Sequence, residues 1–226
     1  MKVISKLENL YTYCTPINDL ECETVDYKIF KECPIVRFCD SKALLKYIPV
    51  GTDKRLDAFH GFIHDNPYFW MIPLKTVSDK TYGFVLKSYH QKAYRNIFCE
   101  DHICSFFGFH NFKNFRFGYP LILTEGTKDA ILLQKLYPFS LACLTSGLNG
   151  FDDLKAITRL TDKIILCYDN DTPGEKSNKR DKERLIKSGC KVASAFYNAK
   201  DVGDLYNNPV GFGILQNSIK TILSNF

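Results

Sequence analysis

Between residues 121 and 208 compact apolar runs alternate with amphipathic ones. LILTEG, LACLTS, KIILCYD and KVASAFY predict buried strands, and TKDAILLQKLY, FDDLKAITRL and the charged stretch from Gly174 to Lys187 predict the helices between them. Alternation of strand and helix is the pattern of a mostly parallel sheet with helices on its faces. Gly126, Ser146 with Gly147, Gly150, Pro173 with Gly174, and Ser188 with Gly189 fall at the element ends, where turns are required. Upstream the period changes. YFWMIPLKT (68–76) and YGFVLKSY (82–89), with VSDK between them, predict an antiparallel hairpin. The final stretch, VGFGILQNSIKTILSNF, predicts one closing amphipathic helix. The chain therefore reads as α/β. A mixed α+β subdomain with a hairpin spans 1–118, a mostly parallel, helix-flanked sheet spans 119–208, and a closing helix spans 209–226. Residues 1–60 carry short mixed elements and no motif.

At 226 residues and 45% hydrophobic content, the chain can fill one large core or two small ones. Lys and Arg number 30 against 25 Asp and Glu, a net +5 that permits a polyanionic partner without requiring one. The amino terminus, MKVISKLENLYTYC, has charges at Lys2, Lys6 and Glu8 and lacks the apolar core of a signal peptide. No apolar run approaches the roughly 20 residues that span a bilayer. The expected setting is the cytoplasm, a host's if the chain is viral, with no membrane partner.

The nine cysteines are odd in number, and several sit inside hydrophobic runs, such as Cys143 and Cys167, so most are expected to be reduced core residues. Cys99, His102, Cys104 and His110 are zinc-donor types but contain no CxxC pair, and Cys14, Cys22, Cys33 and Cys39 are irregularly spaced, so no zinc site is predicted. HQKAYRNIF and HNFKNFRFGY, within 90–118, interleave cations with aromatics. Such a surface can follow a phosphate backbone and stack bases. The plainer reading is a Phe-rich core with its lysines on a solvated face. Similarly, Lys176, Lys179, Arg180, Lys182 and Arg184 either extend an electrostatic track or form a solvated helix face diluted by Glu175, Asp181 and Glu183.

Glu125, Asp169 and Asp171 are each placed where an apolar strand-like run ends. In open sheets of this kind ligands bind outside the carboxyl ends of the strands. Residues two apart on an extended segment project to one side, so Asp169 and Asp171 ligate together while Asn170 faces away. Gly126 lets the chain turn into a helix whose first turn holds Asp129, where the helix dipole favours negative charge. KDVGDLY adds Asp201 and Asp204 past the last strand. Carboxylates converging in this way repel one another unless cations bind or some stay protonated. Hard divalent ions, Mg²⁺ or Mn²⁺, suit an all-oxygen set.

EGTKD, LACLTSGLNG, YDNDTPGEKS and KDVGD, in that order over residues 121–208, resemble the Toprim domain shared by bacterial-type and phage primases, type IA and II topoisomerases and some nucleases. The run MIPLKTVSDKTYGFVLKSYHQKAYRNIF followed by ICSFFGF is similar to the segment of DnaG-type primases that precedes their Toprim domain. Lys87 falls at that family's arginine, and Lys92 and Tyr94 near its lysine-tyrosine-leucine-asparagine element. The family's next lysine has no clear counterpart, His102 or a neighbour standing there, and KDVGDLY differs by one residue in spacing.

The resemblance implies a DNA primase core making short RNA primers on single-stranded DNA from ribonucleoside triphosphates. Glu125, Asp169 and Asp171 would be catalytic metal ligands, assisted by Asp129, Asp201 and Asp204. Lys87, Lys92, Tyr94 and Arg95 would hold nucleotide or template. The family's amino-terminal zinc-binding domain and helicase-binding tail have no counterpart in these residues. The expectation is a bare polymerase core of viral or mobile-element origin, served by a replicative helicase or a separate zinc-binding, template-reading protein. The competing expectations are a Toprim nuclease, disfavoured by the upstream hairpin, and a non-catalytic single-strand-binding subunit of a replication complex.

Overall fold

The computed structural model describes residues 3–17, 24–98, 105–145 and 147–226. The chain divides into two compact units, residues 1–103 and 104–226. The first unit is a five-stranded antiparallel sheet in the order β1 (Thr15–Pro16), β2 (Arg37–Asp40), β3 (Tyr68–Lys75), β4 (Thr81–Ser88) and β5 (Tyr94–Phe98). Its helices are α1 (Val3–Thr12), α2 (Val25–Phe30), α3 (Ser41–Leu45) and α4 (Lys54–Asp65). The expected hairpin is β3 and β4, paired from Phe69 opposite Ser88 to Leu74 opposite Gly83. Its turn places Asp79 at φ 64°, a left-handed conformation that Asp tolerates better than most residues.

Strand periodicity sorts the apolar residues of this sheet onto two faces. Phe69, Met71, Phe84, Leu86 and Ile97 share a core with Leu7 and Leu10 of α1 and Leu56, Phe59 and Ile63 of α4. Trp70, on the other face, sits among Tyr27 and Phe30 of α2 and Phe38 of β2. With both faces covered, β3 reads as a continuous apolar run rather than an alternating one.

The second unit is a sheet in the order β10-β9-β7-β8-β6. Strands β7 (Leu121–Thr124), β8 (Ser140–Cys143), β9 (Lys163–Leu166) and β10 (Lys191–Ser194) run parallel, and β6 (Phe106–Phe107) pairs antiparallel with β8. Helices α5 (Thr127–Leu136), α6 (Phe151–Thr158) and α7 (Thr172–Lys187) fill the intervals, and α8 (Pro209–Ser224) follows a 3₁₀ turn at Gly203–Asn207. The α/β expectation, a mostly parallel sheet flanked by helices after a mixed antiparallel unit, is the architecture found. No described helix is long and apolar enough to cross a membrane.

The second unit begins earlier than the expected boundary at 118. Phe106, Phe109 and Phe112 are buried in the same core as Leu121, Leu141 and Leu166, and Phe112 and Phe115 pack around Phe139. These rings are core, as the plainer reading held, and they belong to the second sheet.

The cysteines need one correction. Cys143, Cys167 and Cys190 are free and buried and Cys33 is buried as well, but Cys14 and Cys39 form a disulfide. Pairing of Thr15 with Phe38 and Pro16 with Arg37 brings Cys14 opposite Cys39, a contact that sequence spacing does not reveal. Of the candidate zinc donors, Cys22, Cys99, His102 and Cys104 lie outside the described residues.

Candidate active site

β7 and β9 are adjacent and parallel, with Leu123 opposite Leu166, so the residues just past their ends emerge on one edge. Glu125 follows β7, and Asp169 and Asp171 follow β9. Asp129, in the first turn of α5, is buried, and its Oδ1 accepts the Gly203 N–H at 2.7 Å. Asp201 accepts the Asp204 N–H at 2.8 Å, while Asp204 itself is exposed. Asp171 caps α7 by accepting the Gly174 N–H at 3.0 Å and lies 3.5 Å from Lys200 Nζ.

These acids feel one another. Burial, then the charges of Asp201 and Asp169, push the Asp129 carboxyl up to about 7. Burial, then Glu125, Asp201 and Asp171, do the same to Asp169, against the pull of Lys200. Burial also raises Glu125, which is opposed by a hydrogen bond from Ser177 of α7. Glu125, Asp129, Asp169, Asp171 and Asp201 thus form one electrostatic cluster, and Asp204 is not among the charges acting on its most perturbed members.

Among the described residues no three acids stand in a ready coordination arrangement. Several have turned to backbone N–H groups instead, which is how like charges at one edge reduce their repulsion. The donor chemistry fits a hard divalent ion: the ligands are all carboxylate oxygens, and in two of them burial, then the charge of neighbouring acids, raises the pKa, a push that a bound cation would oppose.

Two glycines make space at this edge. A Cβ on Gly126 would collide with the Asp129 carboxylate, and one on Gly174 with the Asp169 backbone. Gly126 has φ −104°, open to any residue, so it is required for room rather than for the turn expected from sequence. Asn170 does point away from the acids, and its amide donates to the carbonyls of Tyr197 (3.0 Å) and Ala199 (2.8 Å). Its backbone N–H donates to Lys200 O at 2.6 Å. This stitch fixes the segment that delivers Asp201.

Asp181 was missed by sequence reasoning. Expected as a diluting charge on a solvated helix, it is fully buried and accepts from Leu148 N–H at 2.7 Å, Tyr168 O–H at 3.1 Å and Arg180 Nε at 2.9 Å. Arg184 donates to Leu148 O at 2.6 Å. Arg184 therefore grips the loop after β8 and Arg180 is paired with Asp181, whereas Lys176 and Lys179 are exposed. Gly147 in that loop has φ +86°, and a Cβ there would strike Asp181. The only sequence signal was an aspartate in register with the buried positions Gly174, Ser177 and Leu185 of α7.

The expected nucleotide-binding residues are in the first unit. Lys87 pairs with Asp26 at 2.7 Å and lies over the Phe30 ring. Tyr94, opposite Lys87 and on the same face, is exposed, as are Lys92 and Arg95. Arg95 stands opposite Leu86, on the other face.

Comparison with known proteins gives this arrangement its class. Residues 122–206 match the Toprim-like family model. No curated protein matches the sequence. Among solved structures, the Escherichia coli primase catalytic core superposes with TM-score 0.66 at 16% identity, covering 99% of this chain and 83% of that one. A DNA primase domain from Pseudomonas aeruginosa gives 0.67 at 18% identity over 95% and 77% of the two chains. A DnaG primase catalytic domain bound to single-stranded DNA gives 0.68 at 15% identity over 98% and 77%. The chain has the fold of the DnaG-type primase catalytic core, and residues 122–206, within its second unit, are similar to the Toprim-like family.

Proposed function

We propose that this protein is a DNA-directed RNA polymerase of the primase type, making short RNA primers on single-stranded DNA by metal-dependent nucleotidyl transfer. The observation that carries the reading is the convergence of Glu125, Asp129, Asp169, Asp171 and Asp201 beyond the carboxyl edge of a parallel sheet, in a chain with the primase-core fold. The reaction joins a ribonucleotide 3′-hydroxyl to the α-phosphate of an incoming triphosphate, with pyrophosphate leaving.

Glu125, Asp169 and Asp171 would hold Mg²⁺ or Mn²⁺, with Asp129, Asp201 and Asp204 assisting. Such an ion, when bound, lowers the pKa of the hydroxyl and neutralises charge on the attacking and leaving oxygens. The residues around it set the stage. Asp129 ties α5 to the Gly203 backbone, Asn170 holds the Asp201 segment, and Lys200 offsets part of the negative charge on Asp169 and Asp171. Lys92 and Arg95 offer exposed cations to template or triphosphate, and Tyr94 offers a ring for stacking. Lys87 joins them on release from Asp26. A replicative helicase or a separate zinc-binding, template-reading protein is the proposed partner.

The test is incubation with single-stranded template, Mg²⁺ or Mn²⁺ and labelled ribonucleotides. Short oligoribonucleotides are expected, and Asp169→Ala abolishes them. Template degradation without synthesis would instead identify a nuclease. Binding without either reaction, unrelieved by a helicase or zinc-domain partner, would identify an accessory subunit.

A further inference from the structure

We propose a second nucleic-acid contact in the first unit: a groove in which single-stranded DNA stacks a base on Tyr13 and Tyr47 and lays its phosphates along Lys6 and Lys46. The groove has a volume of about 500 Å³ and lies between α1 and the segment after α3. Lys6, Asn9 and Tyr13 recur at the spacing that puts residues on one helix face, and Lys46 and Tyr47 form the opposite wall. This inference rests on first-unit residues alone and not on primer synthesis.

Three observations point to this occupant. Tyr13 and Tyr47 are 66% and 54% exposed, yet their rings are already stacked, with centroids 5.6 Å apart and planes within 9°. A base added to such a pair extends an existing stack, and base stacking tolerates any sequence because every base has a π-face. Of the aliphatic members of the lining, Leu10, Ile48 and Leu56 are buried and only Pro49 is half-exposed, so the apolar surface on offer is chiefly aromatic ring.

The charge is complementary. The lining carries two ammonium groups and no carboxylate, and among the described residues neither lysine is held in an ion pair. Lys46 Nζ lies over the Tyr47 ring, 4.9 Å from its centroid, so the cation and the aromatic pair already stand together. The platform is also preorganised. Tyr13 directly precedes Cys14, which is bonded to Cys39 of β2, and the Tyr47 N–H is tied to Leu44 O at 2.9 Å. Rings on a fixed backbone lose little freedom on binding.

The experiment uses the full chain and a thymidylate oligonucleotide carrying 5-iodouracil, with affinity read by anisotropy and contacts by photocross-linking. Cross-links are expected on Tyr13 or Tyr47. The Tyr13→Ala, Tyr47→Ala double variant should bind between about 5-fold and 100-fold more weakly, and Tyr47→Phe should bind normally. Each of Lys6→Gln and Lys46→Gln should lower the salt dependence of binding by roughly 0.7 log unit per log unit of salt. Asp169→Ala should leave the cross-link intact, which separates this site from the catalytic one. Wild-type affinity and salt dependence in the double alanine variant, with an unchanged thermal melt, would overturn the proposal. So would cross-links confined to other residues, or equal affinity for duplex DNA.

Discussion

Asp129 shows how one residue ties folding to charge. Its carboxyl is raised from 3.8 to about 7, so the protonated form is favoured in the fold. Stability from such a group is fully present below its unfolded pKa and is lost as pH rises through the folded value. Metal-free protein should therefore lose thermal stability between about pH 4 and pH 7 through Asp129 and Asp169. Asp129→Asn keeps an oxygen for the Gly203 N–H and removes the charge. It is expected to melt higher than wild type at pH 8 in chelator, and to show a shallower decline over that interval. Mg²⁺ should raise the wild-type melting temperature more at pH 8 than at pH 5. A lower melting temperature for Asp129→Asn at pH 8 would contradict this account.

At the scale of elements, α7 is a clamp. Its Asp181 satisfies the Leu148 N–H and the Tyr168 hydroxyl inside the protein, and its Arg184 holds the same loop from the rim. Asp181→Ala leaves those buried donors without their acceptor, at a cost of about 1–3 kcal/mol each. The variant should melt several degrees lower, since about 1 kcal/mol shifts a domain of this size by roughly 2–4 °C. Tyr168→Phe, which removes one donor cleanly, should cost far less in the same melt. The strands and helices around this clamp were legible in sequence because buried strands are short apolar runs and glycines mark their ends. Glu125, Asp129, Asp169, Asp171 and Asp201 were legible because strand ends are predictable. Asp181 was not, because on a helix crowded with charges the buried one is chosen by a loop more than thirty residues away in sequence. Lys87 stood out in the sequence as a candidate, but its hold on Asp26 depends on where α2 packs, which residues 1–60 do not announce.

For the whole molecule, two units with separate cores imply two responses to stress. The Cys14–Cys39 bond closes a loop of 25 residues within the first. Losing such a link typically costs about 2–5 kcal/mol. Reductant should therefore lower the unfolding temperature of the first unit and leave the second unchanged, as read by calorimetry with and without reducing agent. A single transition unmoved by reductant would count against it.

The chain has one tryptophan, Trp70, and it is buried in the first unit, directly across the strand pair from Lys87. Indole emission consequently belongs to that half alone, while the second half contributes only tyrosine. The protein carries its own optical label: a ligand that draws Lys87 away from Asp26 disturbs the surroundings of Trp70 with no dye attached. Events at the carboxylates of the second unit, by contrast, have no indole of their own to report them.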